Sequence, residues 1–154
     1  MSKRSSILST LINHIADATH ASGFRGLRFL HEINSFPAFY IHPETEDRFH
    51  YGRGSRQAVC ACSLRGFQWS DSLDDIEAFA RALESAIMSY KASHRYLIDE
   101  IRVISLRTDE GLMNPYGIVD MQFEILYEVN PFTSITADTT AYTADNTIIL
   151  ASRG

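Results

Sequence analysis

The spacing of apolar and polar residues divides the chain into two helices and a set of strands. Over residues 5–22, Ile7, Leu8, Leu11, Ile12, Ile15 and Ala18 recur at helical spacing, with Asn13, Asp17 and His20 on or near the other side. A single apolar stripe of this kind predicts a helix packed on a sheet. Ser5 or Ser6 is placed to cap its first turn, and Gly23 to end it in the left-handed conformation. A second helix is predicted over 70–90, with Ile76, Phe79, Ala80, Leu83, Ile87 and Tyr90 as its buried stripe. Ser72 would cap it, and Asp74, Asp75 and Glu77 sit where the helix dipole favours acids.

Period-two patterns mark the strands. Residues 118–129 are the clearest: Val119, Met121, Phe123, Ile125, Tyr127 and Val129 share one face, while Asp120, Gln122, Glu124 and Glu128, interrupted by Leu126, share the other. Residues 55–69 read as a long strand, apolar on both faces in its middle, which predicts a central position. Phe36-Pro37 demands an extended backbone at Phe36, and a strand follows over 38–42 until Pro43 stops it or sits at its edge. Another strand is expected over 97–107, and a short one over 27–30 would fit the mixed connection 25–36. Residues 44–54 and 108–117 are polar and turn-forming, and read as a hairpin tip and a loop between strands. The order helix, strand, strand, helix, strand, strand predicts an α+β fold: an antiparallel or mixed β-sheet with two helices packed on one face. A single domain over 1–130 and a C-terminal extension or arm over 131–154 account for the whole length.

Composition narrows the function classes. A chain of 154 residues, 45% apolar and 21% charged, is an ordinary globular protein able to bury a core without staples. A net charge of −5 argues against a nucleic-acid adaptor, because backbone binding needs clustered Lys and Arg. Met1-Ser2-Lys3-Arg4 is basic, but the amphipathic stretch after it is broken by Asn13, His14 and Asp17, so no signal peptide is expected. No apolar run approaches the ~20 residues of a membrane span.

Catalytic chemistry finds no constellation. The six histidines are scattered, and none pairs at i, i+4 around a Glu. His42-Pro43-Glu44-Thr45-Glu46 resembles a metal site in composition only, and acids near a His are ordinary at a surface. Gly52-Arg53-Gly54 lacks the end of a phosphate loop and reads as a hairpin turn. Cys60 and Cys62 point to one face of a strand, where a disulfide would be badly strained and two ligands do not make a zinc site. The chain therefore reads as non-enzymatic, with no cofactor and no metal.

One string is more specific. Thr108-Asp109-Glu110-Gly111-Leu112, then Pro115-Tyr116-Gly117, then a strand reaching Tyr127, resembles the tail terminator proteins of long-tailed bacteriophages. Upstream, Glu32-Ile33-Asn34-Ser35-Phe36-Pro37 is similar to the family in weaker form, and the element order fits from about residue 5 to 129. Met113-Asn114 falls where the family varies, and nothing after Pro131 has a counterpart. The resemblance implies a structural virion protein at the tail–neck junction, assembled in the bacterial host cytoplasm. It implies a hexameric ring that caps the tail tube, stops its polymerisation and docks the head through a neck or connector protein. Genome DNA would pass through the lumen without specific binding, and no membrane partner is implied. A head-side connector or tail-completion protein of similar fold is the alternative, and a small cytosolic ligand-binding domain a more distant one.

Two surfaces would serve such a ring. The resemblance puts Asp109, Glu110, Gly111, Leu112, Pro115 and Tyr116 in a loop facing the tube or neck, although these residues equally suit a hairpin. Arg48, Tyr51, Arg53 and Arg56 are candidates for the subunit–subunit contact, since Arg and Tyr are enriched at interface hot spots, and Glu46 or Asp47 nearby could pair with an Arg of the next subunit. Residues 131–154 are rich in Thr, Ala, Asp and Ser, yet Ile148-Ile149-Leu150 is a compact apolar patch. It is either an idle tail or an arm that docks on a neighbour. An arm predicts that truncation after Asn130 abolishes assembly, read by light scattering; assembly that survives the truncation excludes it.

Overall fold

A computed structural model of the chain describes residues 2–51, 55–70, 72–113 and 116–129. Helix α1 spans Lys3–Thr19 and helix α2 spans Leu73–Ser93. The strands are β1 (Ser22–Arg25), β2 (Ala38–Tyr51), β3 (Ser55–Trp69), β4 (Glu100–Met113) and β5 (Tyr116–Val129). They form one sheet in the order β1-β2-β3-β5-β4, antiparallel except where β1 runs parallel to β2. The α+β class is as predicted, and β3 is central, as its two apolar faces require.

The helices cover one face. Val119, Met121, Phe123, Ile125 and Tyr127 of β5 are buried beneath them, together with Ala58, Cys60, Cys62 and Leu64 of β3. All six predicted stripe residues of α2 are buried. In α1 the buried stripe stops at Ile15: Ala18 is exposed, because the helix ends at Thr19 and the chain turns inward so that Ala21 takes the core position. Close approach of α2 to the sheet depends on two glycines. A Cβ at Gly117 would stand 2.2 Å from Ile76 Cγ1, and one at Gly66 would stand 2.9 Å from the Phe79 ring.

Among the described residues, the other face is covered only at one end. Ile33, Ala38, Tyr40, Phe67 and Ile118 form a second small core, with Phe24, Leu30 and Phe36 packed against it. The connection from β1 to β2, which holds a 3-10 turn at Leu30–Glu32, supplies this cover. A parallel pair needs a crossover, and here a compact loop takes the place of the usual helix.

The boundaries differ from the sequence expectation in instructive ways. Ser2, not Ser5 or Ser6, caps α1, its side chain accepting from Ser5 N–H at 3.1 Å. His20, at φ 58°, takes the left-handed position expected of Gly23. Gly23 lies in β1 instead, where a Cβ would meet the Phe39 ring at 2.7 Å. The short strand is β1 at Ser22–Arg25 rather than 27–30. The two polar stretches read as loops are largely strand. β2 continues past Pro43, through a register shift, to Tyr51, and β4 runs on to Met113. Both segments lie on sheet edges, β2 beyond Ile41 and β4 throughout, where one side faces water and polar residues cost little.

Gly117→Ala is predicted to lower stability by about 1–3 kcal/mol through overpacking against Ile76. Ile104→Ala, at a β4 position that is 59% exposed, should stay within about 0.5 kcal/mol of the parent. Urea unfolding of both variants reads the difference.

Candidate functional site

The sheet places its two hairpins at opposite ends. The β2–β3 connection leaves where Arg56 faces Val129, and the β4–β5 connection where Trp69 faces Tyr116. Each end carries its own surface.

At the Val129 end the first turn of α1 meets the ends of β2, β3 and β5 in an open cleft of about 490 Å³. Lys3, Arg4, Glu46, Arg48, Arg56 and Tyr127 line it. Alternation puts Glu46, Arg48, Arg56 and Tyr127 on the helix-covered face, just beyond where α1 begins. Glu46 is the hub. Arg48 donates to its Oε2 from Nε at 2.9 Å and Nη2 at 2.7 Å, Arg4 Nε stands 3.8 Å from its Oε1, and the Tyr127 hydroxyl donates to the same oxygen. Lys3 Nζ donates to the Glu128 carbonyl at 2.8 Å. Burial alone would raise the Glu46 carboxyl, but the hydrogen bonds from Tyr127 and Arg48 and the charges of Arg48 and Arg4 outweigh it and hold it below the ordinary carboxylate range. Burial first, and then the Glu46 carboxylate, push the Tyr127 phenol well above its usual value, so it remains a donor.

Beneath the cleft lie Cys60 and Cys62, free and buried, their sulfurs 3.7 Å apart. The hydrogen bond to Cys60 and then burial hold the Cys62 thiol far above the ordinary range. A thiol so held is no nucleophile at neutral pH.

At the Trp69 end, α2 begins. Leu73 and Trp69 are more than half exposed, and the Phe36 ring lies 5.7 Å from the Trp69 ring. Ser72 holds the N-cap position without a side-chain bond; Ser70 Oγ instead accepts from Ser72 N–H at 3.0 Å and donates to Asp75 at 2.9 Å. Asp74 and Asp75 are exposed in this first turn. The open face between the two ends carries surface ion pairs, Arg65–Asp120 at 2.7 Å, Arg107–Asp120 at 3.6 Å and Arg102–Glu124 at 2.9 Å, each worth at most about 1 kcal/mol.

The predicted residues distribute unevenly over these surfaces. Arg48 and Arg56 meet in the cleft. Tyr51 ends β2, but its side chain is outside the described part, as is the whole of Arg53. Glu46 pairs within its own chain rather than being held ready for a neighbour, because Arg48 and Arg4 reach it first. Asp109, Glu110, Gly111 and Leu112 lie on β4 and Tyr116 on β5, with a register shift between Glu110 and Met113. Their side chains, and Pro115, lie outside the described residues, as do Ile148, Ile149 and Leu150. Sequence reasoning missed Lys3, Arg4 and Tyr127 as cleft residues. Tyr127 carries the only available signal, a hydroxyl on an apolar strand face that needs a buried partner. Among the described residues, no three of His, Cys, Asp and Glu are placed to share a metal ion, and no helix is long and apolar enough to cross a membrane.

Neither protein-family models nor curated proteins give a match to this chain. Solved structures do. One chain, from a structure described as the virion of a native gene transfer agent particle, aligns at TM-score 0.53 and 11% identity, over 79% of this chain and 92% of that chain. The likeness is one of fold.

Tyr127→Phe is predicted to cost about 1–2 kcal/mol, since Glu46 loses a buried donor. Because the folded Glu46 carboxyl titrates below its ordinary value, its contribution is present above that value and is lost as pH falls through the folded one. Stability of Glu46→Gln should therefore depend less steeply on pH below about 4.5 than that of the parent, read by thermal melts across that window.

Proposed function

We propose that this protein is a structural subunit of a phage-type virion and that it acts as a tail terminator. The observation that carries the coarser reading is the shared fold, which extends over nearly the whole of a virion chain. The finer reading is supported by the Thr108–Gly117 string, whose described residues lie on β4 and β5 at one end of the sheet. In this reading copies of the chain close into a hexameric ring at the tail–neck junction. One surface binds the last ring of the tail tube and ends its growth, and another receives the neck or connector protein. Genome DNA passes through the lumen without being gripped. The fold suits the task, since a sheet with a different surface at each end provides two unlike contacts from one chain.

Electron microscopy of the purified protein mixed with tail tubes of the same virus tests the role. A cap on one end, with tube length then constant, is the expected outcome. Bare tubes that keep growing would refute the terminator role, and binding to the head's connector instead would make the protein a head-side joining subunit.

A further inference from the structure

We propose that the basic cleft at the Val129 end receives the acidic first turn of α2 from a second copy of this chain. The inference rests on the ring reading above and names its subunit contact. Lys3, Arg4, Arg48 and Arg56 line one cleft together with the Glu46 carboxylate, so four of the 14 Lys and Arg residues of an acidic chain gather there. Glu46 offsets one positive charge. The surplus reaches solvent, with the Arg4 side chain 42% and the Arg48 side chain 47% exposed. The complementary surface is Asp74 and Asp75, neither of which has a cationic partner among the described residues. Glu77, by contrast, is already bridged to Arg81 at 2.8 Å. Exposed Leu73 and Trp69 flank the two aspartates and supply the apolar area that an interface of charges alone lacks.

A chain cannot make this contact with itself. Gly117 lies against Ile76 in the first turns of α2, whereas Val129 lines the cleft. Twelve residues of strand separate them, so the surfaces stand on the order of 40 Å apart at about 3.3 Å per residue. Two unlike surfaces at opposite ends produce a heterologous, head-to-tail contact, the kind that closes a ring. Contact through the helix side also leaves the β4–β5 connection to a different partner.

The test is a charge exchange read by sedimentation velocity over a range of protein and salt concentrations. Variant one carries Lys3→Glu and Arg56→Glu, which leaves the Arg4 and Arg48 pairs with Glu46 in place. Variant two carries Asp74→Lys and Asp75→Lys, with Asp74→Asn and Asp75→Asn as the milder form should the helix start not tolerate lysine. Thermal melts confirm that each is folded. The parent should self-associate at about 0.05 M salt and fall apart near 1 M, where the screening length is about 3 Å. Each variant alone should associate at least about tenfold more weakly. An equimolar mixture of the two lysine and glutamate variants should regain association, because the reversed cleft of one then faces the reversed helix of the other. A parent that stays monomeric at every concentration, variants that associate as the parent does, or a mixture that fails to recover would each overturn the proposal. Tube capping separates this from the reading beneath it. Both variants capping tubes normally would reject the contact and keep the terminator role. A parent that associates as described but ignores tubes would reject the role and keep the contact.

Discussion

The structure depends on how closely α2 lies on the middle of the sheet. Gly66 on β3 and Gly117 on β5 remove the two side chains that would hold the helix away, and Phe79, Leu83 and Ile76 fill the space. Once α2 is seated, Tyr90 near its far end fixes α1, its hydroxyl lying 2.6 Å from Thr10 Oγ1. The stripe from Ile7 to Ile15 then covers what α2 leaves open on the same sheet face. An interior packed to crystal density transmits such constraints, because no helix can shift without opening a void or a clash.

The cleft follows from where this cover stops. α1 begins at Lys3, level with the last residues of β5, so the final positions of the helix-facing pattern are not sealed by apolar side chains. The chain fills them with Glu46, Arg48 and Arg56, and ties Glu46 to the Tyr127 hydroxyl and to Arg4 of the helix. A carboxylate largely withdrawn from water is costly unless it is paired and hydrogen-bonded, and this half-buried one is both. The polar network is therefore the border of the core and at the same time a surface where Lys3, Arg4, Arg48 and Arg56 gather, which is why the same side chains bear on stability and on the proposed contact.

Much of this was legible in the sequence, and what was not has a common cause. The period of α2 and of 118–129 stood out because each element buries one whole face, so local pattern and tertiary environment agree. The acidic stretch 44–51 and the polar stretch 108–113 misled because both are edge-strand sequence. With one flank in water, such a strand needs no apolar alternation and resembles a loop. Gly23 looked like a helix terminator, yet it serves close packing against Phe39, a need that only the folded neighbour reveals. The cleft was half visible. Arg48 and Arg56 belong to the expected patch with Tyr51 and Arg53, but their meeting with Lys3 and Arg4 depends on the path of α1 across the sheet, which no local pattern encodes.

The same edges bear on how copies of this chain can meet. An open sheet invites addition of a further strand, and here both flanks resist it. Beyond Ile41 the free side of β2 carries Pro43, which has no N–H to offer, followed by Glu44, Glu46, Asp47 and Arg48. The outer strand β4 is interrupted by a register shift at Ile104 and bears Arg102 and Arg107. Charge, proline and bulge are the usual means of blunting an edge. With lateral growth disfavoured, the proposed contact between copies uses the ends of the sheet instead. They are unlike in charge and in shape, so such a contact has a direction. The proposed contact is of this directional kind, and a closed ring is the form in which it would give every cleft and every acidic turn a partner.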